Sequence, residues 1–157
     1  MASVKELVEL LIEKKLKIAS AESCTGGLFA SSIVSVPGSS EIIDASIVTY
    51  SNESKIKYCG VKAETLSEYG AVSEETAKEM AEGIARECGA DIGVSFSGIA
   101  GPGGATATKP VGMVCCGIAF DGKTYVYTNV FKGDRTEVRE QSVAFMIDML
   151  LHVLKNK

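Results

Sequence analysis

The alternation of apolar and polar positions divides the chain into about ten elements. Ser3-Val4-Lys5-Glu6 has the form of a capping box, and Leu7, Leu10 and Leu11 after it share one helical face, so the chain opens on an amphipathic helix. Residues 17–22 are short and read as a strand. Residues 26–36 read as a helix stopped by Pro37-Gly38, and the β-branched residues of 42–50 read as a second strand. Ser51 is placed to cap a helix running through Tyr58, with Gly60 beyond it, and a further short helix fits before Gly70. The most regular stripe follows. Ala77, Met80, Ala81, Ile84, Ala85 and Cys88 recur at i, i+3 and i+4 between a Ser73 cap and a Gly89 stop. Residues 91–96 form an apolar strand, and 97–109 a loop of small residues. Residues 111–120 and 124–130 are two strands turning at Asp121-Gly122, a strong hairpin signal. Asp134 with Glu137 is a second capping box, opening a last helix that should turn Val138, Phe145, Met149 and Val153 inward.

This order sets the fold class. Early strand–helix alternation implies parallel pairing, the late hairpin implies antiparallel pairing, and together they predict an α/β fold with a mixed sheet and helices on both faces. No internal repeat or linker interrupts the chain, so one domain over residues 1–157 is expected.

Composition narrows the function classes. With 46% hydrophobic and 23% charged residues the chain has enough apolar material for a core. A net charge of −4 and the lack of a basic patch with interleaved aromatics argue against a nucleic-acid partner. No apolar run approaches the roughly 18 residues of a membrane span, and residues 1–17 carry charges throughout rather than a signal-type apolar region, so no membrane partner and a cytoplasmic location are expected. The five cysteines, at 24, 59, 88, 115 and 116, include no Cys-x-x-Cys, and there is one histidine. A clustered zinc site is therefore not expected, and Cys88, Cys115 and Cys116 read as small buried hydrophobes.

Function in such a fold sits at strand ends and helix N-termini, and two loops occupy such places. Glu22-Ser23-Cys24-Thr25-Gly26-Gly27 joins a strand to a helix. Its backbone N–H groups and the helix dipole would suit an oxyanion or phosphate, and its Ser23 a nucleophile; an N-cap hydroxyl followed by packing glycines explains the same residues. Ser97-Gly98-Ile99-Ala100-Gly101-Pro102-Gly103-Gly104 follows a second strand, and its glycines allow a ligand to approach the backbone. It matches neither the dinucleotide fingerprint nor the P-loop. A Ser-His-Asp triad is excluded in practice, because the single histidine, His152, lies on the last helix beyond Met149. Lysine remains as the base, and Lys55, one turn into the helix after Tyr50, is the candidate, provided that burial or a neighbouring cation lowers its pKa. Cys24 is a rival nucleophile in the same loop, because thiolates form readily at helix N-termini.

Taken in order, the two loops together with Val36-Pro37-Gly38-Ser39-Ser40, Thr49-Tyr50-Ser51-Asn52-Glu53-Ser54-Lys55, Gly70-Ala71-Val72-Ser73, Lys109-Pro110-Val111-Gly112 and Gly133-Asp134-Arg135 resemble the C-terminal domain of the CinA family, which also occurs alone as PncC-type nicotinamide mononucleotide deamidases. The resemblance covers nearly the whole chain. It implies a three-layer α/β/α fold with a sheet of about five strands, and a homo-oligomer. It also implies hydrolysis of the carboxamide of nicotinamide mononucleotide to nicotinic acid mononucleotide and ammonia, without metal or other cofactor. It assigns Ser23 as nucleophile and Lys55 as base, with Tyr50 beside it. Cys24, Thr25, Gly26, Gly27, Ser97, Gly98, Gly101 and Gly103 become substrate-binding positions, and Arg135, in the first turn of the last helix, a phosphate ligand. Two features depart from the pattern. Ala-Thr-Ala-Thr stands at 105–108 where the family usually has Gly-Thr-Pro-Glu, and the large N-terminal domain of full-length CinA proteins is not found in this sequence. A catalytically silent nucleotide-binding or interaction module of the same fold is the alternative expectation, since fold does not fix function.

Overall fold

The computed structural model describes residues 3–156. Helix α1 (Val4–Lys14) begins at Ser3, whose hydroxyl accepts the Glu6 N–H, and ends where Lys15 turns left-handed. Strand β1 (Ile18–Glu22), buried along its whole length, leads through the Ser23 turn into α2 (Leu28–Val34). A 3-10 turn (Ser39–Glu41) and the two-residue strand β2 (Ile47–Val48) follow. Next come α3 (Asn52–Cys59), α4 (Ala63–Tyr69) and α5 (Glu74–Cys88), then β3 (Ile92–Gly98), β4 (Met113–Phe120), β5 (Lys123–Val130) and α6 (Arg135–Lys155).

The sheet runs β2-β1-β3-β4-β5. β1 pairs parallel with both β2 and β3, whereas β3–β4 and β4–β5 are antiparallel. The expected mixed sheet of five strands is thus observed. On one face Phe29, Val138, Met146 and Leu150 join Leu7 and Leu11 over Val94, Phe96 and Cys116. On the other, Met80, Ile84, Cys59 and Val61 pack on Ala19 and Ala21. These are the three layers: α1, α2 and α6 below the sheet, α3, α4 and α5 above it. The upper layer sits close because glycines face it. A Cβ at Gly93 would lie 2.1 Å from the Ala81 carbonyl oxygen, and one at Gly83 1.7 Å from that of Cys59.

Several boundaries differ from the pattern-based expectation. The strand expected over 42–50 is reduced to Ile47–Val48, because its first half is drawn elsewhere. Ile42 is buried in the lower core, Asp44 pairs with Lys17 at 2.8 Å, and the Ser46 hydroxyl bonds Ser20. The helix expected from 26 starts at Leu28, because Gly26 and Gly27 take φ of 54° and 100°. It ends at Val34, before Pro37. The hairpin's first strand starts at Met113 rather than 111, after Gly112 turns to accept no side chain: a Cβ there would lie 2.0 Å from the Phe131 carbonyl oxygen. Cys115 and Cys116 are buried as expected, but Cys88, on the rim of the upper cluster, is only half-buried, as are Phe145 and Met149 of α6. All five cysteines are free thiols.

Candidate active site

The C-terminal ends of β1 and β3 and the N-terminal turns of α3 and α6 surround a cleft of about 330 Å³. Ser23 is at its floor. Its N–H donates to the Phe96 carbonyl at 3.0 Å, which continues the β1–β3 ladder one residue past the strand and fixes where Ser23 Oγ emerges. The turn that follows is held by Glu22, a carboxylate only 1% exposed. Its two oxygens accept the N–H groups of Gly27 (3.1 Å), Phe29 (3.0 Å) and Ala30 (2.9 Å) and the Ser20 hydroxyl (2.8 Å). The positive end of α2 is therefore already matched by a carboxylate of this chain. The Gly26 N–H is also committed, to the Ser23 carbonyl at 3.1 Å. Of the turn's amides, those of Cys24 and Thr25 are bonded to no other described residue. Sequence reasoning had offered the whole run from Cys24 to Gly27 to a ligand. The structure spends Gly26 and Gly27 on the turn itself and buries Thr25 behind it, and these three do not line the cleft.

Lys55 enters from α3. Ser51 caps that helix through a reciprocal bond with Ser54, which sets the first turn and aims the Lys55 side chain back across the cleft floor. The residue is 1% exposed. Its Nζ lies 3.2 Å from Ser23 Oγ, 2.8 Å from the Thr49 carbonyl oxygen and 3.4 Å from that of Tyr50. Burial lowers its pKa from the ordinary 10.5, with the Cys24 and Cys59 thiols acting in the opposite sense. Both thiols are themselves pushed up to about 11, chiefly by burial, so at neutral pH neither carries the negative charge that would hold the ammonium. A neutral amine fits this environment. Nζ donates to both carbonyls and to Ser23 Oγ; in the neutral form that burial favours, the third position carries the lone pair and faces the Ser23 hydroxyl. The same burial works against Cys24 as an activated thiolate.

The far wall is the glycine-rich loop after β3. Ser97, Gly98, Gly101 and Gly103 all line the cleft, as the sequence reading anticipated. Arg135 closes the mouth, with Nη1 donating to the Gly101 carbonyl at 2.8 Å and Nη2 to the Tyr50 hydroxyl at 3.2 Å. Tyr50 and Arg135 are both exposed, a pair of side chains lying across the opening. Among the described residues lining the cleft, the only charged ones are Lys55 and Arg135, in a chain of net charge −4. No group of three or more His, Cys, Asp or Glu side chains placed to hold a metal occurs among the described residues.

Sequence reasoning missed several participants. Asn52 lines the cleft from inside the Tyr50-to-Lys55 segment, and Ala71 and Val72 form a wall from the α4–α5 connection. Asn52 and Ala71-Val72 lay inside stretches that carry the family resemblance, Thr49–Lys55 and Gly70–Ser73, but no role was attached to them. Arg139 was also missed. Its Nε donates to the Cys24 carbonyl at 3.0 Å and its Nη2 to the Thr25 carbonyl at 2.9 Å. Its spacing of four from Arg135 puts both on one helical face, and that was the available signal.

The model of the CinA C-terminal domain matches residues 2–154. This chain belongs to the CinA C-terminal domain family. A putative competence-damage inducible protein of Clostridium perfringens is 51% identical over 147 residues, which cover 94% of this chain. A CinA-like protein of Kosmotoga olearia is 52% identical over 153 residues. The chain spans little more than a third of the length of these curated relatives, 36% and 37%. The solved structures it resembles are of its own size. A competence or damage-inducible protein of Enterobacter asburiae superposes with a TM-score of 0.93 at 36% identity, covering 98% of this chain and 99% of that one. A CinA superfamily protein of Escherichia coli gives 0.92 at 33% identity, covering 96% and 87%. The CinA fold is thus that of nearly the whole chain, and Ser23, Lys55 and Arg135 lie just past a strand end and in the first turns of two helices, where open α/β sheets place ligands.

Proposed function

We propose that this CinA domain is an amidohydrolase acting on the carboxamide of nicotinamide mononucleotide. The observation that carries the reading is the buried Lys55 amine at 3.2 Å from Ser23 Oγ, on the floor of an open cleft. A lysine without a carboxylate partner is costly to bury, and a module that only bound a nucleotide would need neither the amine nor the hydroxyl. Substrate charge follows from the lining: with Lys55 neutral, Arg135 is the remaining cation and no carboxylate of the described residues lines the cleft, which favours an anionic ligand, and the planar fork of Arg135 suits a phosphate. About 330 Å³ falls in the range of small-molecule sites.

The chemistry runs on this chain's own groups. Neutral Lys55 Nζ takes the proton of the Ser23 hydroxyl as Oγ attacks the carboxamide carbon, forming the C–O bond and placing negative charge on the amide oxygen. The N–H of Cys24, on the cleft wall, is the donor assigned to that oxygen. Collapse breaks the C–N bond, with the Lys55 ammonium returning its proton to the departing nitrogen, which leaves as ammonia. A water molecule, deprotonated by the same amine, then cleaves the Ser23 ester, releasing the carboxylate and restoring the hydroxyl. Arg135 and the 97–104 loop bind and orient. Purified protein should release ammonia and nicotinic acid mononucleotide in equal amounts, and Ser23→Ala should lose nearly all turnover while folding normally. Tight binding of the mononucleotide without ammonia release would refute the reading.

A further inference from the structure

Arg139 does not line the cleft, yet it spans 114 and 115 positions of sequence to grip the two peptide carbonyls just after Ser23, those of Cys24 and Thr25. It is half-buried, and the position a Gly26 Cβ would take is 3.5 Å from its Nη2. The turn is therefore clamped from two sides: Glu22 holds the N–H groups of Gly27, Phe29 and Ala30, and Arg139 holds the carbonyls before them. Peptide planarity gives the second clamp a consequence. In a trans peptide the N–H points opposite to the C=O, so drawing the Cys24 oxygen toward Arg139 turns the Thr25 N–H away from it. That N–H has no hydrogen-bond partner among the described residues. The preceding plane, which carries the Cys24 N–H, is held by the Gly26 N–H on the Ser23 carbonyl, and Arg139 fixes the peptide to which that Gly26 N–H belongs through the Thr25 carbonyl.

We propose that Arg139 is a positioning residue, holding the turn after Ser23 so that the N–H of Cys24, which lines the cleft, stays directed as an oxyanion donor. This rests on the amidohydrolase reading. Because the donor acts on charge that develops in the transition state, its loss falls on kcat rather than on KM. A guanidinium spans two carbonyls with separate N–H groups, and an ammonium meets them as one point, so Arg139→Lys should recover only part of the function.

The test compares wild type with Arg139→Gln, Arg139→Lys and Arg139→Ala for kcat, KM and the pH profile, together with backbone hydrogen exchange over residues 23–28. Arg139→Gln should lower kcat by about tenfold to a hundredfold, with KM within about twofold and the midpoint of the pH profile unmoved, since Lys55 is untouched. Arg139→Lys should fall between the two, and added alkylguanidinium should restore part of the Arg139→Ala rate, which a variant damaged only in stability would not show. Exchange of the Gly26, Gly27 and Leu28 amides should quicken by about tenfold. An unchanged kcat, or a loss carried wholly by KM, overturns the proposal. Should wild type release no ammonia, it is the amidohydrolase reading that fails, and the exchange arm still decides the clamp: protection over 23–28 unchanged in Arg139→Gln and Arg139→Lys overturns it.

Discussion

Gly83→Ala tests whether packing far from the cleft sets the catalytic distance. Gly83 lies in the middle of α5, where exchange to alanine ordinarily stabilises by about 1 kcal/mol through helix propensity. Here the sign should reverse. The new Cβ would stand 1.7 Å from the Cys59 carbonyl oxygen, which must retreat by about 1.3 Å to reach even 3.0 Å. That oxygen is backbone at the end of α3, and it also accepts Arg86 Nη2 at 3.2 Å, so it cannot swing aside alone. The helix must move, and Lys55 is one turn up the same helix, 3.2 Å from its serine. Overpacking of this size costs about 1–3 kcal/mol beyond the propensity gain, which lowers Tm by roughly 2–12 °C for a domain of this length. A shift of about 1 Å at the reacting atoms lowers rate by about a hundredfold. Calorimetry and steady-state kinetics on the same sample separate the two effects. A Gly83→Ala protein with raised Tm and full kcat would refute the idea that the α3–α5 contact holds Lys55 in place.

Lys55→Arg should be nearly inactive although the charge is kept, because a guanidinium does not give up its proton; full kcat in that variant would remove lysine as the base. The wild-type rate should rise with pH and level off once Lys55 is neutral, with a midpoint below 10.5 because burial lowers its pKa; a midpoint at or above 10.5 would contradict this. The linkage sign follows from the same shift: between the lowered folded pKa and 10.5 the unfolded chain holds a proton that the folded one lacks, so stability rises with pH across that window. Lys55→Met, which has no such group, should therefore gain stability relative to wild type at low and neutral pH, and denaturant titrations should show the gap closing toward pH 10.5. Arg135→Lys should raise KM by about tenfold to a hundredfold with a smaller effect on kcat, the scale of one charge-assisted bond of about 1.5–3 kcal/mol; an unchanged KM for the mononucleotide would take Arg135 out of the phosphate site.

The elements governed by local signals were legible in the sequence. Ser51, Ser73 and Asp134 cap the helices they were expected to cap, and Gly60 and Gly89 end two of them, because caps are decided within a few residues. The hairpin at Asp121-Gly122 was legible for the same reason. The edge of the sheet was not. Ile42 and Ile43 have strand propensity, but one apolar core and one Asp44–Lys17 pair redirect them, and both are tertiary effects. At the site, hydroxyls, glycines and a lysine in sequence order brought out Ser23, Lys55, the 97–104 loop and Arg135. The partners of the Ser23 turn were hidden. Glu22 reads as one more strand residue until its carboxylate is seen under α2, and Arg139 as one more surface arginine until α6 is laid against the turn. The Glu22 contacts reach only five to eight positions along the chain and belong to a helix N-terminus, whereas those of Arg139 span more than a hundred and left its spacing from Arg135 as the one trace.

The central claim is that the Ser23–Lys55 pair cleaves an amide. Its most direct measurement is ammonia release from nicotinamide mononucleotide by the purified protein in EDTA, run beside Ser23→Ala and Lys55→Arg. The expected result is steady release of ammonia matched by nicotinic acid mononucleotide in wild type, and next to none in either folded variant. Release that continues undiminished in Ser23→Ala, or its absence in a wild-type protein that binds the mononucleotide, would contradict the claim.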